Sequence, residues 1–211
     1  REHAIATSVA KSKRVSKIYC APGNAGIAGV AECVDIGVMD FYGQVKFAKD
    51  NAIDLTIVGP DDPLVAGCVD AFEAAGLRVF GPRQNAAIIE GSKAFSKDLM
   101  KKYNIPTAAY ENFDDPDKAL AYLETSDFPI VLKADGLAAG KGVLICESLE
   151  DAKEGLGELF SKFRQTKVVI EEFIEGIEAS FIVATDGKRV VPMAASYDYK
   201  RIFDNDQGLN T

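Results

Sequence analysis

The sequence is poor in the residues that build metal clusters and disulfide frameworks. Its 211 residues include one histidine, four cysteines and no tryptophan. The single histidine, His3, cannot form a multi-imidazole metal site, and the cysteines lie far apart without a C-x-x-C pair. We therefore expect reduced, mostly structural cysteines in a cytoplasmic protein.

Positive charge and long apolar runs are also scarce. Lys and Arg number 24 against 32 Asp and Glu, which gives a formal net charge of −8. A surface of this sign repels nucleic acid and anionic membranes, so we expect neither as a partner. No apolar run approaches the roughly 20 residues of a membrane-spanning helix, and the chain does not begin like a signal peptide. Any anionic ligand has to be bound by locally placed groups.

The first half of the chain alternates strand and helix patterns. Strands are predicted at 15–21, 54–58 and 77–80, and helices at 4–11, 42–51, 63–75 and 92–103. The strands run into loops that contain Gly or Pro, an order typical of a parallel sheet with crossover helices. Ligands of such sheets bind at the carboxyl ends of the strands.

The second half has a different order of elements. Residues 112–118 are acidic and turn-rich, and Asp186-Gly187 is a strong hairpin signal. The later patterns predict a helix at 149–163 and strands at 129–134, 142–146, 167–172, 179–185 and 189–195. We therefore predict a mainly antiparallel α+β unit with a helix packed on one face.

The segment 133–143, Lys-Ala-Asp-Gly-Leu-Ala-Ala-Gly-Lys-Gly-Val, is suited to binding an anion. Its small residues let backbone N–H groups approach phosphate oxygens, while Lys133 and Lys141 add positive charge. It is not a P-loop, because Gly142 follows Lys141 and no helix begins there. A flexible hairpin with two solvated lysines is the alternative interpretation.

A second candidate is the segment 168–178, which changes from apolar to acidic along its length. Glu171, Glu172 and Glu178 can accept hydrogen bonds from an exocyclic amine or a ribose diol, and backbone groups there can bind a purine edge. A solvated acidic loop is the alternative interpretation.

Seven motifs along the chain together indicate a family. They are Arg-Glu-His-Ala at 1–4, Ala-Pro-Gly-Asn-Ala-Gly at 21–26, Asp-Leu-Thr-Ile-Val-Gly-Pro at 54–60, Pro-Leu-Val-Ala-Gly at 63–67, Glu-Gly-Ser-Lys-Ala-Phe at 90–95, the segment 133–143 and Ile-Glu-Glu-Phe at 170–173. With them the chain resembles the ATP-grasp superfamily and, within it, the phosphoribosylamine–glycine ligase family of purine biosynthesis.

The resemblance implies an α/β fold in three parts. A Rossmann-like, pre-ATP-grasp domain with a parallel sheet is expected at 1–110, without its first strand. A small α+β ATP-grasp subdomain with a flap is expected at 111–186, and the start of the large catalytic subdomain at 187–211. On this basis we expect the chain to be about half of a larger enzyme, inactive alone, whose parent is either monofunctional or fused to other purine-pathway enzymes.

The resemblance also implies an activity. It would be the ATP-dependent ligation of glycine to 5-phosphoribosylamine through glycyl phosphate, giving glycinamide ribonucleotide, ADP and phosphate. The cofactors would be ATP and Mg²⁺ or Mn²⁺, with the metal ligands expected beyond Thr211 and none among these residues.

Nucleotide-binding residues follow from the same resemblance. Lys93 and Lys133 would hold ATP phosphates, Glu171 would accept the adenine amine, and Glu178 would bind the ribose. The hinge that binds the adenine edge would be Glu172, Phe173 and Ile174. The mobile flap would consist of Asp135, Gly136, Leu137, Ala138, Ala139, Gly140, Lys141 and Gly142. Catalytic roles are implied for Lys133, Lys141 and Arg201.

Substrate-binding residues are implied near both ends of the chain. They are Arg1, Glu2, His3, Gly23, Asn24, Gly59, Pro60, Asp198, Lys200 and Arg201. Tyr197 and Tyr199 stand where the family usually has Gln and His, and Leu209 stands where it usually has Pro.

Three alternatives remain open. Other ATP-grasp ligases of the same pathway share Lys133, Glu171 and the flap. A Rossmann oxidoreductase is disfavoured, because the first loop reads Gly23-x-x-Gly26-x-x-Gly29 rather than G-x-G-x-x-G. A non-catalytic nucleotide-binding module is the third alternative.

Overall fold

The computed structural model describes residues 1–137, 142–161, 167–197, 199, 201–204 and 207–210. The chain divides into two units, Arg1–Phe173 and Ile174–Thr211. No helix among the described residues combines the length and the apolar character needed to cross a membrane.

The first unit begins with helices that alternate with short parallel strands. β1 (Tyr19–Cys20) pairs with β2 (Glu32–Cys33), and β3 (Thr56–Ile57) pairs with β4 (Val79–Phe80), both in parallel. The helices of this part are α1 (Glu2–Ala10), α2 (Phe41–Asp50), α3 (Asp61–Val65), α4 (Cys68–Ala74) and α5 (Gln84–Gly91). The predicted parallel arrangement is therefore confirmed, with strands shorter than predicted and with β2 and α5 as additional elements.

The single helix predicted at 63–75 is wrong, because the chain turns at Gly67. This glycine has a φ of +91° and separates α3 from α4. A side chain with a Cβ rarely adopts that backbone conformation, so the apolar pattern continues across two helices rather than one. Phe72 of α4 is 2% exposed and packs with α2, which fixes the second helix on the core of this part.

A four-stranded antiparallel sheet follows in the same unit. Its strand order is β5 (Tyr110–Phe113), β8 (Val168–Glu172), β6 (Ile130–Ala134) and β7 (Val143–Cys146). Three helices accompany it: α6 (Lys93–Lys102), α7 (Pro116–Leu123) and α8 (Leu149–Ser161). The predicted antiparallel α+β unit is confirmed, and with the parallel part before it the α/β fold class is confirmed as well.

The interpretation of 112–118 as turn-rich is wrong, since this stretch contains the end of β5 and the start of α7. The Asp115 carboxylate accepts hydrogen bonds from the backbone N–H groups of Asp117 and Lys118, and Pro116 stands at the first helical position. Asp and Pro in this order start a helix as readily as a turn.

The two faces of the four-stranded sheet differ, because successive strand residues point to opposite sides. Leu132 and Ile170 are fully buried on one face against α7 and α8. The neighbouring residues Lys133 and Glu171 therefore lie on the other face. The apolar face holds the sheet and helices together, and the second face carries these two charged groups beside the buried Val131 and Val169.

The second unit contains two antiparallel strand pairs. β9 (Val183–Thr185) pairs with β10 (Val190–Pro192), and β11 (Arg201–Phe203) pairs with β12 (Gln207–Asn210). The predicted hairpin at Asp186-Gly187 is confirmed: the Asp186 carboxylate accepts hydrogen bonds from the N–H groups of Lys188 and Arg189 at 2.9 and 2.7 Å. These hydrogen bonds lower the pKa of Asp186.

Truncating the centre of the apolar face should destabilise the protein. Leu132→Ala removes a fully buried side chain, and we expect a loss of about 2–5 kcal/mol in the free energy of unfolding. Leu55→Ala is the matched control, since Leu55 is 47% exposed and should lose far less. Urea denaturation followed by circular dichroism measures both, and equal losses would contradict this account of the core.

Candidate functional site

Two lysines and a glutamate meet on the polar face of the four-stranded sheet. Glu171 of β8 is 5% exposed, and its Oε1 forms an ion pair with Nζ of Lys133 on β6. Its Oε2 forms a second ion pair with Nζ of Lys97, which comes from α6. A carboxylate this deeply buried requires paired charge, because its desolvation is costly. We call Lys97, Lys133 and Glu171 the lysine–glutamate cluster.

Lys97 is fixed by more than its carboxylate partner. Its Nζ donates a hydrogen bond to Oγ1 of Thr107 at 2.7 Å and lies 5.7 Å from the ring centroid of Tyr110. The Tyr110 hydroxyl donates to Oδ1 of Asp98 at 2.8 Å, and burial together with this hydrogen bond raises the pKa of Tyr110 to about 12. The cation is therefore held among partners from several elements.

The base of the predicted flap is joined to the start of α6. We call residues 134–137 the flap base. Both oxygens of the Asp135 carboxylate accept from the Ser92 hydroxyl at 3.1 Å, and Oδ1 also accepts from the N–H of Ala94 at 3.1 Å. The Ser92 hydroxyl in turn accepts from the N–H of Phe95 and caps the helix. Asp135 thus helps to anchor the flap base on α6.

Lys93 lies at the same junction. Its Nζ donates to the carbonyl oxygens of Ala134 at 3.0 Å and Gly136 at 2.6 Å. Burial lowers the pKa of Lys93, with Asp135 opposing this shift and Lys133 adding to it. A partly desolvated ammonium beside a second lysine favours an incoming anion, because each cation gains from a negative partner.

The first residues of the chain reach the loop after β3. Nη1 of Arg1 donates to the carbonyl of Gly59 at 3.2 Å and pairs with Oδ1 of Asp61 at 2.9 Å. A Cβ added to Gly59 would lie 2.9 Å from Oε1 of Glu2, so the end of this side chain lies directly against the loop. Pro60 follows directly and stands immediately before α3.

His3 lies against the loop after β1, as Glu2 lies against the loop after β3. A Cβ added to Gly26 would lie 3.2 Å from Nδ1 of His3. Oδ1 of Asn24 accepts from the N–H of Ile27 at 3.0 Å, and Gly23 has a φ of +81°. The predicted substrate residues of the first 60 positions therefore gather at the carboxyl ends of β1 and β3, as expected for a parallel sheet.

One cleft of about 800 Å³ is lined both by residues around the lysine–glutamate cluster and by residues at the start of the chain and after β3. Its lining includes members of the predicted substrate set, the lysines of the predicted nucleotide set and the flap base. These are Arg1, Glu2, Pro60, Lys93, Lys133, Gly136, Leu137 and Gly142. Lys97, which was not predicted, lines the cleft as well. Residues far apart in sequence thus face one space large enough for a nucleotide and a small substrate.

Other predicted site residues stand at the end of the first unit, belong to the second unit or fall outside the described residues. Glu172 has an exposed side chain and donates its N–H to the carbonyl of Ala109 at 2.9 Å, while Phe173 ends the first unit. Ile174 and Glu178 belong to the second unit, as does Arg201 in β11. Outside the described residues lie Ala138, Ala139, Gly140, Lys141, Asp198 and Lys200. The roles expected for them stay predictions.

The described residues contain no group of three or more His, Cys, Asp or Glu side chains that could hold a metal ion. The structure instead adds two residues that sequence reasoning missed, Lys97 and Asp61. Lys97 lies one helical turn after Lys93, and this spacing was the available signal. Nothing in the sequence indicated that Asp61 would pair with Arg1, since 60 positions separate them.

Two family models together match the whole chain. Residues 1–90 match the N domain of phosphoribosylglycinamide synthetase, and residues 91–211 match its ATP-grasp (A) domain. A phosphoribosylamine–glycine ligase of Vibrio cholerae is 53% identical over 217 aligned residues, covering 100% of this chain and 51% of the relative. The chain spans about half the length of the curated relatives it matches.

Solved structures show the same likeness. The phosphoribosylamine–glycine ligase of Thermotoga maritima has a TM-score of 0.81 at 32% identity, over 100% of this chain and 51% of that one. The biotin carboxylase domain of the Hydrogenobacter thermophilus 2-oxoglutarate carboxylase, solved with MgADP, ADP and bicarbonate, has a TM-score of 0.71 at 19% identity. That match covers 90% of this chain and 47% of the other, and it shows a shared fold.

Removing the Asp135 carboxylate should loosen the flap base. Asp135→Ala takes acceptors from Ser92 and Ala94, and we expect a loss of about 1–2 kcal/mol in the free energy of unfolding, as for a lost helix cap. Amide exchange at 134–137 should accelerate. Asp127→Ala, at an exposed position, is the control. Unchanged exchange at 134–137 in Asp135→Ala would show that the junction does not hold the flap base.

Proposed function

The chain belongs to the phosphoribosylglycinamide synthetase family, and on that premise we propose that the protein containing it ligates glycine to 5-phosphoribosylamine at the expense of ATP. The products are glycinamide ribonucleotide, ADP and phosphate, in de novo purine biosynthesis. The observation that supports this proposal most directly is the cleft. Its lining includes the lysines of α6 and β6, the flap base and the residues Arg1, Glu2 and Pro60.

The nucleotide half of the site is built around anion and amine recognition. Lys93 and Lys133 supply two ammonium groups at the cleft, where they fit the phosphates of ATP. Glu171 is a buried acceptor on the same sheet face and suits the exocyclic amine of adenine. These described groups match the charge pattern of ATP, positive toward the phosphates and negative toward the base amine.

The substrate half is built around the first helix and the loops after β1 and β3. The side chain of Arg1 is 58% exposed and offers its remaining N–H groups to a sugar phosphate. His3, Gly23, Asn24 and Gly59 surround the same strand ends. We place 5-phosphoribosylamine here, next to the space for the nucleotide phosphates.

The chemistry explains why these residue types are sufficient. A carboxylate is a poor acyl donor, and transfer of the γ-phosphate to glycine makes a good one, glycyl phosphate. The protein has to bind, orient and neutralise charge rather than supply a nucleophile, and its lysines do this. The His, Cys and Ser constellations of covalent catalysis are not required.

The finer assignments form part of the same proposal. Mg²⁺ or Mn²⁺ accompanies ATP and offsets charge on its phosphates, and we assign it no described residue of this chain. The domain limits are 1–110, 111–186 and 187–211. Lys141, Glu178, Asp198, Lys200 and Arg201 keep the roles that the family resemblance implies. The protein acts in the cytoplasm on small molecules, without nucleic acid or membrane, as a separate enzyme or fused to pathway neighbours.

Nucleotide binding by this chain tests the first half of the proposal. ADP should bind, and Lys133→Met should weaken its affinity at least about tenfold, because a charge-assisted contact is lost. Lys153→Met is the matched control, since Lys153, on α8, forms only an exposed ion pair, with Glu124, among the contacts described. NMR titration with ADP measures all three affinities. Equal ADP affinity in the parent chain and Lys133→Met would refute the assignment.

Substrate dependence of ADP release tests the second half. In a protein that carries this chain at the length of its relatives, glycine with 5-phosphoribosylamine should stimulate ADP formation, whereas bicarbonate or formate in place of glycine should not. Arg1→Leu should raise the KM for 5-phosphoribosylamine, and Arg78→Leu, at an exposed position, should leave it unchanged. Stimulation by bicarbonate or formate would instead favour another ATP-grasp ligase.

A further inference from the structure

Glu171 shares its charge between two lysines, and this sharing poses a problem for nucleotide binding. Lys133 pairs with Oε1 and Lys97 with Oε2. In the proposed site Lys133 also has to reach a phosphate. As Lys133 turns away, the carboxylate loses one of its two counter-charges at a position where it is only 5% exposed. A buried carboxylate left without a cation is strongly unfavourable.

Lys97 is placed to remain with Glu171 when Lys133 moves. Its side chain is 12% exposed, against 27% for Lys133. The hydrogen bond to Thr107 and the ring of Tyr110 hold its ammonium on the sheet. Lys133, by contrast, carries no such extra contact among those described, and its more exposed side chain lines the cleft.

Other charged groups around the cluster do not serve this purpose. Lys93 gives its ammonium protons to the carbonyl oxygens of Ala134 and Gly136 at the flap base. Lys101, one turn after Lys97 on α6, is exposed and lies over the ring of Tyr110 at 5.5 Å. The carboxylate of Asp98 is engaged by the hydroxyl of Tyr110.

We propose that Lys97 is a positioning residue that keeps Glu171 compensated, and thereby frees Lys133 to bind a nucleotide phosphate. It acts through Glu171 and needs no contact with the nucleotide. The inference rests on the proposed nucleotide site, and it assigns to Lys97 a role distinct from those of Lys93 and Lys133.

The role predicts an effect that depends on the phosphates. In Lys97→Met, Glu171 retains Lys133 as its remaining cation, so phosphate binding has to break a buried ion pair. The ADP dissociation constant should rise at least about tenfold. Adenosine, which has no phosphate, does not draw Lys133 away, and its dissociation constant should change by less than about threefold.

The experiment measures the dissociation constants of ADP and adenosine by NMR titration of this chain and five variants. They are Lys97→Met, Lys97→Arg, Glu171→Gln, the double variant Lys97→Met/Glu171→Gln, and the control Lys101→Met. Lys97→Arg retains a cation beside Glu171, so the ratio of the ADP to the adenosine dissociation constant should equal that of the unmodified chain. Lys101→Met should also keep it, although it removes a charge from the same helix.

Glu171→Gln separates positioning from direct binding. Without the buried negative charge, Lys133 is free whatever stands at position 97, so the double variant should bind ADP as Glu171→Gln does. This comparison also holds if Lys97→Met alone fails to fold, because the double variant buries no unpaired carboxylate. A further tenfold loss in the double variant would overturn the proposal in favour of direct contact with phosphate.

The outcomes distinguish this inference from the proposed function. If the parent chain binds ADP through Lys133 but Lys97→Met keeps the parent ratio of ADP to adenosine affinity, the positioning role is wrong and the nucleotide site stands. If the parent chain binds no ADP, the nucleotide site and the positioning role are both overturned. A loss of stability alone would raise the dissociation constants of ADP and adenosine by the same factor. That result would also contradict the positioning role.

Discussion

The site depends on the pairing of β6 with β8, which places a lysine and a glutamate on the same face of one sheet. In this register Lys133 lies opposite Val169, one place along the face from Glu171. A shift of one strand by one residue would turn its polar side chain into the apolar core, exposing Leu132 in place of Lys133 or Ile170 in place of Glu171. The burial of that core against α7 and α8 therefore fixes the geometry of the polar face.

Helix α6 connects this sheet to the rest of the first unit. Its N-terminus is joined to the flap base through Ser92, Lys93 and Asp135, and its second turn contributes Lys97 to Glu171. The helix follows α5 with one residue between them. Residues of the parallel part and residues of the antiparallel sheet line the same cleft. Four of the 24 Lys and Arg residues, Arg1, Lys93, Lys97 and Lys133, line this cleft and supply its positive charge.

Local patterns predicted the elements whose signals are local. The strands at 129–134 and 167–172 and the hairpin at Asp186-Gly187 appear where the sequence placed them, because alternation and turn residues act over a few positions. The errors also have local causes. Apolar spacing alone did not reveal the turn at Gly67, and the Asp115-Pro116 pair was compatible with both a turn and a helix start.

The sequence by itself determined the kinds of residue in the site: the small-residue segment beginning at Lys133, the acidic end of β8 and the motif at Arg1. Their chemistry and their likeness to a family are properties of order along the chain. Only the tertiary structure decided that Lys97 joins Glu171, that Arg1 pairs with Asp61, and that Asp135 binds the start of α6. Each of these contacts joins residues more than 40 positions apart, and such pairs are set by strand register and helix packing, which no local pattern encodes.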